Sequence, residues 1–291
     1  MKQFKNKVAA ITGAGSGIGR ALALNLAQAG CDLAISDING DNLAETAKLA
    51  EAAGARVTTT SLDVADRDAV YAWADDVVQQ HGRVNLLFNN AGVAHAAAAE
   101  TASLEDFHWL MNINFWGVVH GTQAFLPHLR ASGEGHIVNV SSLFGLIGMP
   151  TQATYCAAKF AVRGYTETLR MELDMEGAPV SATCVHPGGV ATGINQSSRI
   201  DSSVEKLTGV SLDSHKRRAE KMIQTTTPER AAQIILDAVK RDARRVVVGP
   251  DARAIDKLAR LLGSGYQALV LRRYPHKKAP AQAQVEQSNG I

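Results

Sequence analysis

Lys7-Val-Ala-Ala-Ile-Thr-Gly-Ala-Gly-Ser-Gly-Ile-Gly19 carries a short apolar stretch straight into a glycine-rich turn. The run 7–12 has the length and composition of a strand buried on both faces. Residues 20–29 follow with a helical pattern that Gly30 closes. Glycine at such a strand-to-helix turn permits the tight bend and lets backbone approach a pyrophosphate. The helix N-terminus then offers free N–H groups and the positive end of its dipole. The spacing is Gly13-x-x-x-Gly17-x-Gly19, with Gly15 between, rather than Gly-x-Gly-x-x-Gly. In this context the glycines predict a dinucleotide-binding turn.

The same alternation continues along the chain. A strand over 32–36 ends at Asp37, a helix over 41–53 stops at Gly54, and a strand covers 56–61. A helix over 66–81 stops at Gly82, and a strand covers 84–88. Further on, the pattern predicts a long helix over 103–130, a strand over 135–141, a helix over 153–176 and a strand over 179–186. The run 193–226 is polar and without period, so it reads as a lid or a pair of short helices. Thr227 followed by Pro228 is an N-cap with proline at N1, opening a helix to 241, and 246–249 is the last strand. Strands alternating with amphipathic helices over short connections indicate an α/β fold, a Rossmann-type doubly wound parallel sheet flanked by helices. The predicted organisation is a single domain, 1–250, with a basic helical extension, 251–278, and a disordered tail, 279–291.

Composition sets outer limits. The 291 residues are 46% hydrophobic and 20% charged, ordinary for a globular protein. No apolar run reaches the roughly 18 residues of a membrane span, and no long apolar h-region follows Met1, so a signal peptide is not expected. Cys31, Cys156 and Cys184 are scattered and odd in number, which fits neither a disulfide framework nor a CxxC metal site. A cytoplasmic protein is the expectation. The nine histidines form no ligand-spaced cluster with acids or cysteines, so no metal is expected. Net charge is only +2, yet 252–278 holds Arg253, Lys257, Arg260, Arg272, Arg273, Lys277 and Lys278 against Asp256. That segment carries +6 and the rest of the chain −4, which does not support a nucleic-acid footprint on the folded body.

Two further stretches carry chemistry. Asp37 ends the second strand about 20 residues after the glycines, where an acid meets an adenosine ribose. Its carboxylate accepts ribose hydroxyls and repels a 2′-phosphate. No arginine stands in Ile38-Asn39, and position 16 is serine rather than a base, so NAD is expected over NADP. Asp63, ending the third strand in Leu62-Asp63-Val64, can bond an adenine amino group. Asn89-Asn90-Ala91-Gly92 ends the fourth strand with small and amide side chains that suit a cofactor flank. In 139–159 a strand ends in Ser141 and Ser142, an apolar loop follows, and a helix opens that carries Tyr155 and Lys159. Their i,i+4 spacing puts a phenol and an ammonium on one helical face. A cation there is expected to lower the tyrosine pKa from about 10, making Tyr155 a proton donor and acceptor for an alcohol–ketone couple.

Taken in order, Thr12-Gly13-x-x-x-Gly17-x-Gly19, Asp63, Asn89-Asn90-Ala91-Gly92, Asn114, Ser142 with Tyr155-x-x-x-Lys159, and Pro187-Gly188 resemble the short-chain dehydrogenase/reductase family over about 5–250. The resemblance implies a catalytic set of Asn114, Ser142, Tyr155 and Lys159. Ser142 rather than Ser141 would bond the substrate oxygen, because it precedes Tyr155 by the family's spacing. Lys159 would lower the Tyr155 pKa and hold the nicotinamide ribose. Asn114 would bind a water leading to Lys159; Asn112 fits only in another helix register. The implied cofactor contacts are Gly13, Ser16, Gly17, Ile18, Gly19, Asp37, Asp63, Val64, Asn90, Ala91, Gly92, Tyr155, Lys159, Pro187, Gly188, Val190 and Thr192. Thr192 would bond the nicotinamide carboxamide. His186 reads as a packed strand-end residue. Cys156, standing where the family more often has serine, reads as packing.

Val93, His95, Phe144, Met149 and Ile194, with Leu143, Leu146 and Ile147, outline an apolar substrate pocket, although part of this set also reads as packing under the lid. A lipophilic secondary alcohol or its ketone is therefore the expected substrate. Trp109, Phe115, Trp116 and their neighbours make the 103–130 helix apolar on more than one face, and the resemblance implies a homodimer or homotetramer. In the extension, Ile255, Leu258, Leu262 and Leu269 recur at helical spacing. That stretch reads as a helix packed over the lid or a subunit contact, in preference to a peripheral helix on an anionic membrane. Two rival functions stand beside the alcohol reading. One is a hydroxyacyl or oxoacyl thioester dehydrogenase, for which Arg199, Lys206, Lys216, Arg217 and Arg218 near the lid would meet a carrier phosphate. The other is a non-catalytic dinucleotide sensor, which would have no use for a proton relay.

Overall fold

The computed structural model describes residues 1–195, 197–222 and 224–275. In chain order the strands are β1 (Val8–Thr12), β2 (Asp32–Asp37), β3 (Val57–Ser61), β4 (Leu86–Asn89), β5 (His95–Ala96), β6 (Gly135–Val140), β7 (Val180–Pro187), β8 (Arg199–Ile200) and β9 (Arg245–Val248). The helices are α1 (Gly17–Gln28), α2 (Gly40–Ala52), α3 (Arg67–His81), α4 (Leu104–Met111), α5 (Gly117–Ala131), α6 (Ala153–Met175), α7 (Ser203–Thr208), α8 (Leu212–Met222), α9 (Pro228–Lys240), α10 (Pro250–Leu262) and α11 (Tyr266–Arg273).

Seven strands form one parallel sheet in the order β3-β2-β1-β4-β6-β7-β9. The chain builds outward from β1 in one direction, then returns to β4 and builds the other way. The crevice at the C-terminal ends of β1 and β4 is thus the topological switch point, where open α/β sheets bind ligands.

Both faces of the sheet are covered because successive side chains of a strand point to opposite sides. Ala9 and Ile11 of β1 join Leu22, Leu26, Leu43, Ile235 and Leu236 from α1, α2 and α9. Val8 and Ala10 join Trp73, Phe125, Leu129 and Leu173 from α3, α5 and α6. Asp66 caps α3 by accepting from the Ala69 amide at 3.1 Å, and Thr227 caps α9 by accepting from Arg230 at 3.2 Å, with Pro228 behind it.

Two features differ from the sequence pattern. The helix expected over 103–130 is broken by a π-helical turn, Asn112–Trp116, between α4 and α5. The turn packs an extra residue into the ladder and re-aims the side chains around it. As a result Asn114 is fully buried while Asn112 is exposed. The run 193–226 does contain two short helices, α7 and α8, but also β8, which pairs with β5. Lys277, Lys278 and the expected disordered tail 279–291 lie outside the described residues.

His136 lies in the core on β6, with Nε2 2.8 Å from Thr183 Oγ1. That hydroxyl donates to the Ala243 carbonyl at 2.6 Å, so it accepts from His136, whose ring is the neutral Nε2–H tautomer. Burial pushes the His136 pKa down to about 4. The unfolded chain, with an ordinary imidazole near 6.5, binds this proton where the folded chain does not, so stability should fall as pH drops from 6.5 toward 4. Urea unfolding between pH 7 and 4.5 is expected to show that loss, and a His136→Gln variant a shallower one.

Candidate active site

The turn after β1 is held by atoms that leave no room for side chains. Gly13 has φ +65° and Gly17 φ +53°, both in the left-handed region that favours glycine. A Cβ at Gly13 would lie 2.8 Å from Ala91 Cα, and one at Gly17 2.8 Å from Thr192 Cγ2. A Cβ at Gly19 would collide with the Gly13 carbonyl oxygen. The turn is tied to β4 through Asn90, whose Nδ2 donates to the Thr12 and Gly13 carbonyls at 3.0 and 3.1 Å. Thr12 Oγ1 accepts from the Asn90 and Ala91 amides at 3.0 and 3.1 Å. The Asn90 side chain therefore braces the cradle. Ser16 and Ile18 sit at the start of α1, with Ser16 as its N-cap.

Asp37, at the end of β2, accepts from the Gly15 amide at 2.8 Å and from the Asn39 amide at 2.9 Å, one on each carboxylate oxygen. Arg20 is the cation that reaches this turn. It donates to the Gly15 carbonyl at 2.7 Å and pairs with Glu45 at 2.8 Å, so its charge is already engaged. The sequence motifs do not single out Arg20; its placement depends on α1 packing beside α2. Asp63 is exposed and accepts from the Ala65 amide at 2.9 Å, and Val64 is buried against Gly117. This cradle fits a dinucleotide: a glycine turn at a helix N-terminus, an acid at the neighbouring strand end, and a closely packed far wall.

Deeper in the crevice, α6 brings Tyr155 and Lys159 under the end of β6. The Ser142 side chain is near enough to the Tyr155 phenol to pull its pKa down, and its oxygen accepts from the Phe144 amide at 3.1 Å, capping a short 3-10 turn. Ser141 instead donates to the Lys159 carbonyl at 2.7 Å, fastening β6 to α6. His186 Nδ1 lies 3.0 Å from the Ser142 carbonyl and must donate to it, and burial pushes its pKa down to about 4. Lys159 is buried, its Nζ donating to the Val140 carbonyl at 3.0 Å and standing 5.7 Å from the centre of the Tyr155 ring. Asn114 holds both backbone groups of Val93, at 2.8 and 2.9 Å. A Cβ on Gly92 would lie 3.2 Å from Asn114 Oδ1 and 3.5 Å from Lys159 Nζ, so Gly92 is the thin partition between them. Beneath this group, Asn89 Nδ2 donates to Asn139 at 2.8 Å and Asn139 to Thr166 at 3.0 Å, a buried network joining β4, β6 and α6.

The electrostatics correct one expectation. Lys159 is not what sets the Tyr155 pKa: burial pushes the phenol up to about 12, against the pull of the nearby Ser142 hydroxyl. The same burial pushes Lys159 down to about 8. Withdrawal from water disfavours each charged form.

The pocket wall is also corrected in part. His95 is 1% exposed, with Nδ1 2.9 Å from Thr154 Oγ1, so it packs as a strand residue and does not line the pocket. Leu143 and Ile147 turn inward against Ala252 of α10. Phe144 and Met149 remain half-buried, as do Val93 and Ile194, and Phe144 meets Tyr155 edge-on with ring centres 6.2 Å apart. Cys156 is buried with its thiol pKa raised by desolvation, consistent with packing. Val190 is buried, and Pro187 and Gly188 form the turn after β7.

The pattern missed Asp251, Tyr266 and Tyr274. Asp251 accepts from the Gly189 amide at 2.8 Å, and the tyrosine hydroxyls reach Gly148 and Thr151. Only Pro250-Asp251, a helix-start pair after a strand, hinted at any of them.

A sequence model of the short chain dehydrogenase family matches residues 7–203. The chain is 49% identical to the Mycobacterium tuberculosis protein SadH over 270 residues, 93% of this chain and 96% of that one. It is 38% identical to the 3-oxoacyl-acyl-carrier-protein reductase FabG of Thermotoga maritima over 67% of this chain and 78% of that one. A short chain dehydrogenase/reductase from Burkholderia phymatum, solved in complex with NAD, superposes with a TM-score of 0.81 at 31% identity, over 97% of this chain and 100% of that one. Carveol dehydrogenase from Mycobacterium avium, also solved with NAD, superposes with a TM-score of 0.73 at 26% identity, over 86% and 99%. With this match over most of its length and the glycine turn, Ser142, Tyr155 and Lys159 gathered in one crevice, the chain belongs to the short-chain dehydrogenase/reductase family.

Proposed function

We propose that the protein is an NAD-dependent oxidoreductase interconverting a lipophilic secondary alcohol and its ketone. The observation that carries this reading is the grouping of Tyr155, whose ring centre stands 5.7 Å from the Nζ of the buried Lys159, with the Ser142 side chain at the end of β6. NAD supplies the hydride acceptor, and NADH the donor, when bound. Ser142 holds the substrate oxygen and Tyr155 exchanges a proton with it, giving one in reduction and taking one in oxidation. Lys159 feeds that proton path, and Asn114, fixed by the backbone of Val93, keeps the adjoining backbone in place for a relaying water. Thr192, against Gly17, and Val190 close the cofactor flank.

The preference for NAD rests on Asp37. Its carboxylate sits over the Gly15 amide and leaves lone pairs for ribose hydroxyls, while Arg20 is committed to Glu45 and the Gly15 carbonyl. The NAD complexes of the Burkholderia and Mycobacterium avium proteins support the same choice.

The Thermotoga reductase keeps a thioester substrate as the second reading. Of the lid cations it would use, Arg199 is held by Asp106 at 2.7 Å and stacks over Trp109 at 3.9 Å, and Arg218 reaches the Arg273 carbonyl. Their engagement favours the alcohol reading. The large apolar side chains exposed on α4 to α6, among them Trp116 at 47% and Phe160 at 41%, suit a homo-oligomer contact.

Three outcomes are expected. Tyr155→Phe should lower kcat by at least about 100-fold while the Kd for NAD, read by intrinsic fluorescence, stays within about threefold; loss of binding alone would move the proton role elsewhere. Asp37→Ala removes a charged acceptor worth about 1.5–3 kcal/mol. It should weaken NAD about 10- to 100-fold and leave NADP unweakened. Alcohol oxidation should rise, and ketone reduction fall, as pH crosses about 8, where Lys159 gives up its proton; rates flat from pH 7 to 9 would contradict that assignment.

A further inference from the structure

The chain beyond β9 is held against the turn after β7 and the loop 143–151 by side chains whose spacing in sequence gives no warning of it. Asp251 reaches the turn after β7 and accepts from the Gly189 amide, fitting there because Gly188 and Gly249 present no Cβ. Ala252 is buried with Leu143 and Ile147 of the loop between Ser142 and Tyr155, and Ile255, Ala259 and Tyr266 pack beside them. Farther along, contact depends on two hydroxyls. Tyr266 Oη accepts from the Gly148 amide at 2.8 Å, and Tyr274 Oη lies 2.8 Å from Thr151 Oγ1.

One hydroxyl holds loop backbone and the other a loop side chain. An open groove of about 260 Å³ lies between Gly148 and Pro150 on one side and Tyr266, Gln267, Val270 and Leu271 on the other. Packing alone therefore does not fix Gly148 there, and the Tyr266 hydrogen bond spans the gap. Thr151 has φ +65°, a left-handed conformation that a β-branched residue adopts only when its surroundings impose it. Its carbonyl accepts from Ala97 at 2.9 Å while its side chain meets Tyr274. Thr151 stands two residues ahead of α6, next to its N-cap Gln152, so its conformation sets how the loop 143–152 enters the helix that carries Tyr155.

We propose that residues 250–274 form a strap in which Tyr266 and Tyr274 are positioning residues for the substrate loop, so that the strap determines specificity for bulky apolar alcohols. This rests on the alcohol–ketone reading of the site. The two tyrosines touch the loop backbone and Thr151 rather than the reacting atoms. Their effect is therefore greatest on a substrate large enough to lean on Phe144 and Met149, and least on one that reaches only Ser142 and Tyr155.

Tyr266→Phe, Tyr274→Phe and the double variant keep the rings and delete only the hydroxyls. Two measurements on the full chain test the strap. Hydrogen–deuterium exchange of peptides covering 143–152 should speed up about 10-fold in the double variant, with peptides from β1 and β6 unchanged. The ratio of kcat/KM for a cyclic or long-chain secondary alcohol to that for 2-propanol should fall about 5- to 50-fold, through KM for the larger substrate. Unchanged exchange over 143–152 overturns the proposal, and so does an equal loss for both alcohols. If the wild type turns over no alcohol, the functional reading fails and the exchange result alone decides whether the strap holds the loop.

Discussion

A lysine ammonium withdrawn from water constrains the heart of this structure. Lys159 is on α6, and the main chain around it is arranged to tolerate the charge. Val140 offers its carbonyl, Ser141 ties the Lys159 backbone to β6, Gly92 thins the wall toward Asn114, and Gly145 lets the loop pass against the Lys159 carbonyl. An ammonium so placed is held near the edge of ionisation, while the phenol on the same helical face is held firmly protonated. In such a pair the phenol keeps its proton to donate while the amine can release or take one up near pH 8, and both respond when a new charge or hydroxyl enters the crevice.

The sheet explains why the pair faces a nucleotide cradle. With β1 and β4 adjacent at the switch point, the turn after β1 and the turn after β4 must pack against each other. Glycine at 13 and 19 lets them do so, and Asn90 locks the contact by bonding to Thr12 and Gly13. The asparagine network from Asn89 through Asn139 to Thr166 carries the same alignment across β6 to α6. Joined through the Asn89–Asn90 peptide, these hydrogen bonds connect the glycine turn to the helix bearing Tyr155.

Most of this was legible in the sequence, for a physical reason. Gly13 to Gly19, Asp37, Ser142, Tyr155 and Lys159 all stand at strand ends or on one helical face, where local periodicity fixes their neighbourhood. Asn114 was legible only through family spacing, because the π-helical turn that buries it is a one-residue insertion invisible to helix periodicity. His95 was misplaced since a lone histidine in a loop gives no sign of the two-residue strand that buries it against Thr154. The direction of the Tyr155 shift was misjudged because i,i+4 spacing reports proximity and not desolvation. Tyr266 and Tyr274 act across more than a hundred residues of chain, and no local pattern announces contacts of that range.

The most direct test of the central claim follows the hydride itself. The protein would be incubated with NAD and lipophilic secondary alcohols deuterated at the carbinol carbon, and the reduced nucleotide examined by mass spectrometry. The account predicts a single deuterium on the nicotinamide ring, one ketone formed per nucleotide reduced, and no transfer in the Tyr155→Phe protein. Tight NAD binding with no deuterium transferred from any secondary alcohol would contradict it.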